Sequence, residues 1–362
     1  MDRLIDRIDE LGNPSVVGLD PSLDMMPDAL AREMYGAYGR TPRAVSEMFF
    51  LYNKAIIDVV ADIVPAVKPQ IAMYEMYGAD GIAAYIRTCE YASGRGLYVV
   101  GDIKRGDISS TAEAYAAHLS GAAVGPADGA ADEVGGTGGA TVGPADGLSG
   151  AALRVDVWRE DAITVNPYFG ADGIEPFTKA CRETGKSVFV LVKTSNRSSA
   201  ELQDVVTVGA PLDLASGASA RVAPDGCGAR FYERVAAYVD SWGEGLVGER
   251  GYSAVGAVVG ATHPEVGRAL REAHPRMFFL VPGYGAQGAR AADLAGFFDA
   301  EGRGCIVNSS RGIIAAWRRS AAGEALRAAA PGADRALFVV AEAARAAALT
   351  MADDLRTARN GT

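Results

Sequence analysis

Eight short apolar runs, each followed by a stretch with helical spacing, constrain this chain more than any other feature. The runs are SVVGL at 15–19, IVPAVK at 63–68, LYVVGDI at 97–103, AITVN at 162–166, SVFVLVK at 187–193, AVGAVVG at 254–260, MFFLVP at 277–282 and GCIVNS at 304–309. They are rich in Val, Ile and Phe and do not clearly alternate with polar residues, which is how strands covered on both faces read. Helix-like stretches fall near 43–61, 173–184, 229–241, 264–273, 290–300 and 311–319, and Ser110-Thr111-Ala112-Glu113 has the form of a capping box opening another. Repeated β-then-α units predict parallel strands, and eight of them predict an α/β fold closed into a single (β/α)8 TIM barrel. A doubly wound open sheet is the structural alternative.

Two stretches break the pattern. Residues 121–150 are mostly Gly, Ala and Asp, with VGPADG at 124–129 and again at 142–147. Such a composition buries too little apolar area to offset its ordering entropy, so a disordered, low-complexity insertion is expected. Lying between a helix and the next strand, it should leave from the N-terminal face of a barrel, away from any chemistry. A second Gly/Ala-rich stretch, 208–228, follows the fifth strand and should emerge on the opposite face, where it could touch a lid. Residues 1–330 are expected to form the barrel domain, and 331–362 a C-terminal helical extension packed on it, from the Ala-rich segment 334–356.

Charge and cysteines narrow the functional classes. Over 362 residues the formal net charge is −10, which makes general binding to nucleic acid or to an anionic membrane a poor reading. One small phosphorylated ligand stays compatible with it, because a local cluster of donors can overcome a global charge. Cys89, Cys181, Cys227 and Cys305 form no CxxC pair, so free thiols in a reducing cytosol are expected. The opening MDRLIDRIDELG is charged and helical rather than a signal peptide, and no apolar run approaches the ~20 residues needed to span a bilayer. The expected location is cytoplasmic.

In a (β/α)8 barrel the chemistry sits at the C-terminal ends of the strands. The first strand ends in Asp20, the second in Lys68, and the third runs into Asp102, Lys104 and Asp107. The fifth ends in Lys193-Thr194-Ser195-Asn196, and the eighth in Asn308-Ser309-Ser310-Arg311. Only six lysines occur against 29 arginines, and three of the six occupy strand ends. Lys68 and Lys104 follow apolar runs, where a cation is costly unless paired. Asp102 lies two residues before Lys104, so both should point to one side of an extended strand. A structural ion pair in the barrel mouth is the alternative to a reactive array. The Gly283–Gly288 loop reads as a phosphate cradle, with Gln287 as a side-chain donor and Arg311 able to grip the anion bidentately.

The segment Asp102-Ile103-Lys104-Arg105-Gly106-Asp107-Ile108 resembles the DxKxxD signature of the orotidine 5′-phosphate decarboxylase family. The longer bacterial branch of that family is similar also at Val17-Gly18-Leu19-Asp20-Pro21, Val67-Lys68-Pro69-Gln70, Thr164-Val165-Asn166-Pro167-Tyr168, Thr194-Ser195-Asn196, Gly260-Ala261-Thr262 and Pro282–Gly288. The resemblance spans about residues 12–320 outside the two insertions. It implies cofactor-free decarboxylation of orotidylate to UMP, with no metal. Asp20 and Lys68 would contact the ribose hydroxyls, Asp102 would face the substrate carboxylate, and Lys104 would protonate C6. Asp107, Ile108 and Thr111 would reach into the neighbouring subunit's site of a homodimer. Ser195 would contact the pyrimidine, and Gln287 and Arg311 would hold the phosphate. The alternatives are a Mg-dependent sugar-phosphate lyase or synthase of the same barrel superfamily, and a non-catalytic phosphate-binding barrel.

Overall fold

A computed structural model describes residues 1–126, 152–207, 228–285, 288–329 and 332–360. Eight parallel strands close into a barrel: β1 (Ser15–Leu19), β2 (Ala66–Pro69), β3 (Tyr98–Arg105), β4 (Ala162–Val165), β5 (Ser187–Lys193), β6 (Val255–Val259), β7 (Phe279–Pro282) and β8 (Cys305–Ser309). Each strand pairs with its neighbours in sequence, and β8 closes the ring on β1 with Val16 opposite Asn308. The open-sheet alternative is therefore excluded.

The apolar runs look continuous because both strand faces are buried, yet two separate sets of side chains fill them. Val17, Val67, Val99, Val188, Ala257, Phe279 and Val307 face outward into the layer beneath the helices. Val16, Ala66, Val100, Ala162, Phe189, Val258, Leu280 and Ile306 face inward and fill the lumen. From below, helix α1 (Asp2–Leu11) inserts Leu4, Ile5 and Ile8 into this same inner cluster and stoppers the N-terminal end. Gly12 ends α1 with φ 61°, a left-handed turn that favours glycine.

The surrounding helices follow the strands in order. After β1 come α2 (Asp28–Tyr38) and α3 (Pro42–Val60), the latter capped by Thr41, whose side chain accepts from the Ala44 N–H at 3.3 Å. Helix α4 (Gly78–Gly94) follows β2, α5 (Ser109–Ser120) follows β3 and α6 (Ala171–Thr184) follows β4. Helices α7 (Phe231–Gly243) and α8 (Pro264–Ala273) follow β5 and β6. After β8 come α9 (Ala321–Ala329) and the 28-residue α10 (Ala333–Asn360). Helix α10 packs against α3 on one side and the segment Ala291–Phe297 on the other, and Val339, Val340, Met351 and Leu355 join the outer apolar layer. Among the described residues no helix is long and apolar enough to cross a membrane.

Several local expectations need correction. The capping box at Ser110 does not form: α5 begins at Ser109 behind Ile108, with no side-chain cap, and Ser109 itself has φ 53°. The stretch 290–300 is a 3-10 helix, Ala291–Phe297, and 311–319 splits into one α turn, Arg311–Ile314, and a 3-10 turn, Ala316–Arg319. The start of the expected disordered insertion is an ordered ribbon, in which Ala122–Pro126 pairs antiparallel with Ala152–Val155. Residues 127–151 lie outside the described residues, as do 208–227, most of the second Gly/Ala-rich stretch. The ribbon follows the C-terminal end of α5 and precedes β4, which places it at the end of the barrel opposite the strands' C-termini.

Because Ile5 is fully enclosed at the closed end of the lumen, Ile5→Ala should lower unfolding free energy by about 2–5 kcal/mol. Urea denaturation measures this, and turnover of the folded variant should be unchanged.

Candidate active site

Inward-facing positions carry apolar residues low in the barrel and polar ones one step higher. Ala66 is followed by Lys68, Val100 by Asp102, Ala162 by Thr164 and Ile306 by Asn308, each two residues further along its strand. The strand's period of two thus turns these four side chains inward at the C-terminal mouth. There they line a cavity of about 770 Å³, floored by Leu191, Val258 and Leu280. The volume suits a nucleotide-sized ligand.

The Asp102 carboxylate is the hub. Lys68 Nζ donates to its Oδ2 at 2.6 Å and Gln70 Nε2 donates to the same oxygen at 2.8 Å. Lys104 Nζ donates to Oδ1, which also accepts from Thr164 Oγ1 at 2.9 Å. Burial would push the Asp102 carboxyl up, but Lys68 and Lys104 outweigh it and hold the group far below the usual carboxylate range. Burial pulls Lys68 down, yet Asp102 and Asp20 outweigh that and hold it above its ordinary value.

Lys104 differs from its neighbours in two ways. Its side chain is 44 % exposed, so it stands at the cavity's edge rather than buried with Lys68 and Asp102. Its backbone has φ 47°, where β3 slips register against β4, so the strand is not extended there. The left-handed conformation is strained for a residue with a Cβ. It is held by the Lys104 N–H donating to Thr164 Oγ1 at 2.9 Å and by the Asn166 N–H donating to Arg105 O at 2.8 Å. Thr164 therefore secures both members of the Asp102–Lys104 pair. Neither Thr164 nor Gln70 stood out as a site residue in the sequence; an inward-facing polar side chain at a strand end was the available signal.

The rest of the expected set divides. Asp20, Ser195 and Arg311 line the same cavity as Lys68, Asp102 and Lys104. Ser195 is fixed from behind: Thr262 Oγ1 donates to its carbonyl at 3.3 Å, and a Cβ on Gly260 would lie 2.8 Å from its N and Cα. Arg311 is exposed and has no protein partner among the described residues. Its helix is a single turn, so attraction for an anion rests on the guanidinium rather than on a helix dipole. Gly283 and Gly285, with φ 108° and 73°, make the turn after β7 that only glycine adopts without strain. Gln287 lies outside the described residues. Asp107, Ile108 and Thr111 do not line the cavity; they lie between β3 and the first turn of α5, where Asp107 Oδ1 accepts the Ile108 N–H at 2.8 Å. Lys193, the third strand-end lysine, is taken up by Asp204 at 2.6 Å.

The depressed carboxyl of Asp102 sets a pH window. An unfolded aspartate takes up its proton near pH 4, so Asp102 stabilises the fold above that value and loses its contribution as pH falls towards the folded value. Asp102→Asn should cost about 3–5 kcal/mol at neutral pH by stranding the buried Lys68 ammonium. In chemical denaturation the gap between wild type and variant should stay constant above about pH 4 and narrow below it.

Comparison with known proteins agrees with this geometry. Residues 154–326 match the family model described as the orotidine 5′-phosphate decarboxylase / HUMPS family. The chain is 38% identical over 317 residues to an orotidine 5′-phosphate decarboxylase of Caldicellulosiruptor bescii, covering 88% of this chain and 90% of the relative. It is 33% identical over 357 residues to one of Clostridium acetobutylicum, covering 98% of each. Among solved structures, an OMP decarboxylase of Leishmania donovani superposes with a TM-score of 0.61 at 27% identity, covering 100% of this chain and 98% of the other. A barrel with an Asp-x-Lys hub at its mouth, and relatives this similar over nearly its whole length, make this chain a member of the orotidine 5′-phosphate decarboxylase family.

Proposed function

We propose that the chain decarboxylates orotidine 5′-phosphate to UMP and CO2, the last step of UMP synthesis, with Lys104 as the group that meets C6. The carrying observation is the alternating array of Lys68, Asp102 and Lys104, in which one carboxylate is shared by a buried and an exposed ammonium. Lys104 is the member free to face a ligand. When the bond between C6 and the carboxylate breaks, its electron pair stays on C6, where the pyrimidine ring delocalises it poorly. A fixed ammonium beside C6 stabilises that charge and then transfers a proton to it, forming the C6–H bond while CO2 departs. The neutral amine left behind regains a proton from solvent. Asp102 orients Lys104 and faces the departing carboxylate.

Other roles follow from position. Asp20 and Lys68 reach the ribose hydroxyls, Ser195 contacts the pyrimidine, and Arg311, with Gln287 and the Gly283 turn, holds the phosphate. Gripping a remote dianion lets binding energy align the base for reaction. A Mg-dependent reading is disfavoured because both Asp102 oxygens already accept from ammonium groups, leaving little room for a divalent cation; the activity proposed here needs no metal or cofactor.

The reading includes a homodimer. Met76, Ile108, Tyr168 and Phe169 are exposed apolar side chains on segments following β2, β3 and β4, so one side of the cavity mouth carries an apolar rim beside Asp107 and Thr111. A second copy covering that rim would bring its Asp107 to the site. The described cysteines, Cys89, Cys181 and Cys305, are free and buried, which suits a reducing, cytoplasmic setting.

Lys104→Ala should lower turnover at least ~10³-fold while the fold survives. Mixed in equal amounts with Asp107→Ala chains, it should regain about a quarter of wild-type activity, because half of the dimers would carry one intact site. Near-normal turnover by Lys104→Ala alone would overturn its role, and an inert mixture would overturn the shared site. Arg311→Ala should lower kcat/KM for orotidylate by ~10–100-fold but leave that for the unphosphorylated nucleoside unchanged. An equal loss on both substrates would remove Arg311 from the phosphate site.

A further inference from the structure

Two acceptor atoms at the seam of β1 and β8 have no partner among the described residues. Asp20 Oδ1 and Asn308 Oδ1 are both buried and unpaired, and both residues line the cavity. Asn308 is only 7 % exposed. One end of its amide is spent, since Nδ2 donates to Ser310 Oγ at 3.2 Å. The other end is left over, and a buried unsatisfied polar atom costs free energy in any state that does not supply a partner.

The backbone makes room for this arrangement. Gly18 pairs with Lys68 across one edge of β1, while Val16 pairs with Asn308 across the other. A Cβ on Gly18 would lie 1.9 Å from Ser310 Oγ and 3.0 Å from Asn308 Oδ1, so the missing side chain is the space into which both groups lean. Asp20 stands one pleat higher on the same face of β1, ~6.6 Å along the strand. Lys68, Asp20 and Asn308 thus belong to three neighbouring strands, β2, β1 and β8, and all three line the cavity. Two oxygen acceptors there repel an anion and call for neutral donors. A vicinal diol supplies two.

We propose that Asn308 contacts the substrate directly, its free amide oxygen accepting a hydrogen bond from one ribose hydroxyl while Asp20 accepts from the other, so that Asn308 selects ribonucleotides over deoxyribonucleotides. This rests on the decarboxylase reading above. Asn308 belongs to the residues that bind the sugar, and its loss leaves Lys68, Asp102 and Lys104 in place.

The test is a substrate-by-variant cycle on the full chain. kcat/KM is measured for orotidylate and its 2′-deoxy and 3′-deoxy analogues, with wild type, Asn308→Ala and Asn308→Ser. Asn308→Ala should lose ~3- to 10-fold on orotidylate, and its discrimination against one of the two analogues should fall by the same factor. That analogue identifies the hydroxyl. Ser is too short to reach it yet keeps a polar group beside Ser310, so Asn308→Ser should behave alike and serves if the alanine variant does not fold. Losses equal on all three substrates would overturn the proposal, because a structural role, or a trapped water satisfying the oxygen, moves them together. A wild-type protein inactive on all three would instead overturn the decarboxylase reading.

Discussion

The carboxylate of Asp102 is the interaction on which the rest of the site depends. It sits in a lumen built of Val, Ala, Phe and Leu, where a lone charge is prohibitively costly. Two ammonium groups, a side-chain amide and a hydroxyl converge on its two oxygens and make it tolerable. Each of those partners is thereby fixed in turn. Lys68 is locked into the wall between β1 and β3, Thr164 is tied to β4, and Lys104 is pulled over the cavity although its backbone must leave the extended region. Pre-arranged charge of this kind reduces the reorganisation needed at the moment of reaction, which is the advantage the proposed function draws from a fixed ammonium.

The division of labour around the barrel follows from the same layering. Low in the lumen, Phe189, Val258 and Ile306 and the three residues of α1 are an ordinary apolar core. One pleat higher, the side chains change character and become the floor and walls of a cavity. Loops then complete its lining: Ser195 after β5, the Gly283 turn after β7 and Arg311 after β8. Apolar packing dominates at one end and the charged cluster at the other, so an alteration at α1 tests packing while one at Lys104 tests the proposed chemistry.

Much of this was legible in the sequence. The eight strands could be placed because Val- and Ile-rich runs bounded by glycine and polar residues have few other readings, and SVVGL and SVFVLVK coincide with β1 and β5 residue for residue. Lys68, Asp102 and Lys104 were conspicuous because lysine is scarce in this chain and appears where apolar strands end. Thr164, Gln70 and Asn308 lie in the strand-end segments singled out there, but no sequence feature assigned them a role of their own. They are common polar residues, and their importance emerges only when strand register shows which ones face inward beside an unpaired charge. The capping box failed because Ser109 adopts a positive φ and starts α5 one residue early, a tertiary choice that local spacing does not encode. The inner and outer alternation was hidden because both faces of every strand are buried, so each reads apolar throughout.

The ribbon between α5 and β4 has a consequence for how such chains lengthen. By pairing Pro126 with Ala152, it holds the two ends of the intervening segment side by side at the face of the barrel farthest from the cavity. For a loop whose ends are already pinned, each doubling of length costs only about 0.6 kcal/mol in closure entropy. A repeated hexamer such as VGPADG can therefore accumulate there almost without thermodynamic penalty. The same position is a natural place to graft a foreign sequence, tag or small domain without disturbing the mouth of the barrel.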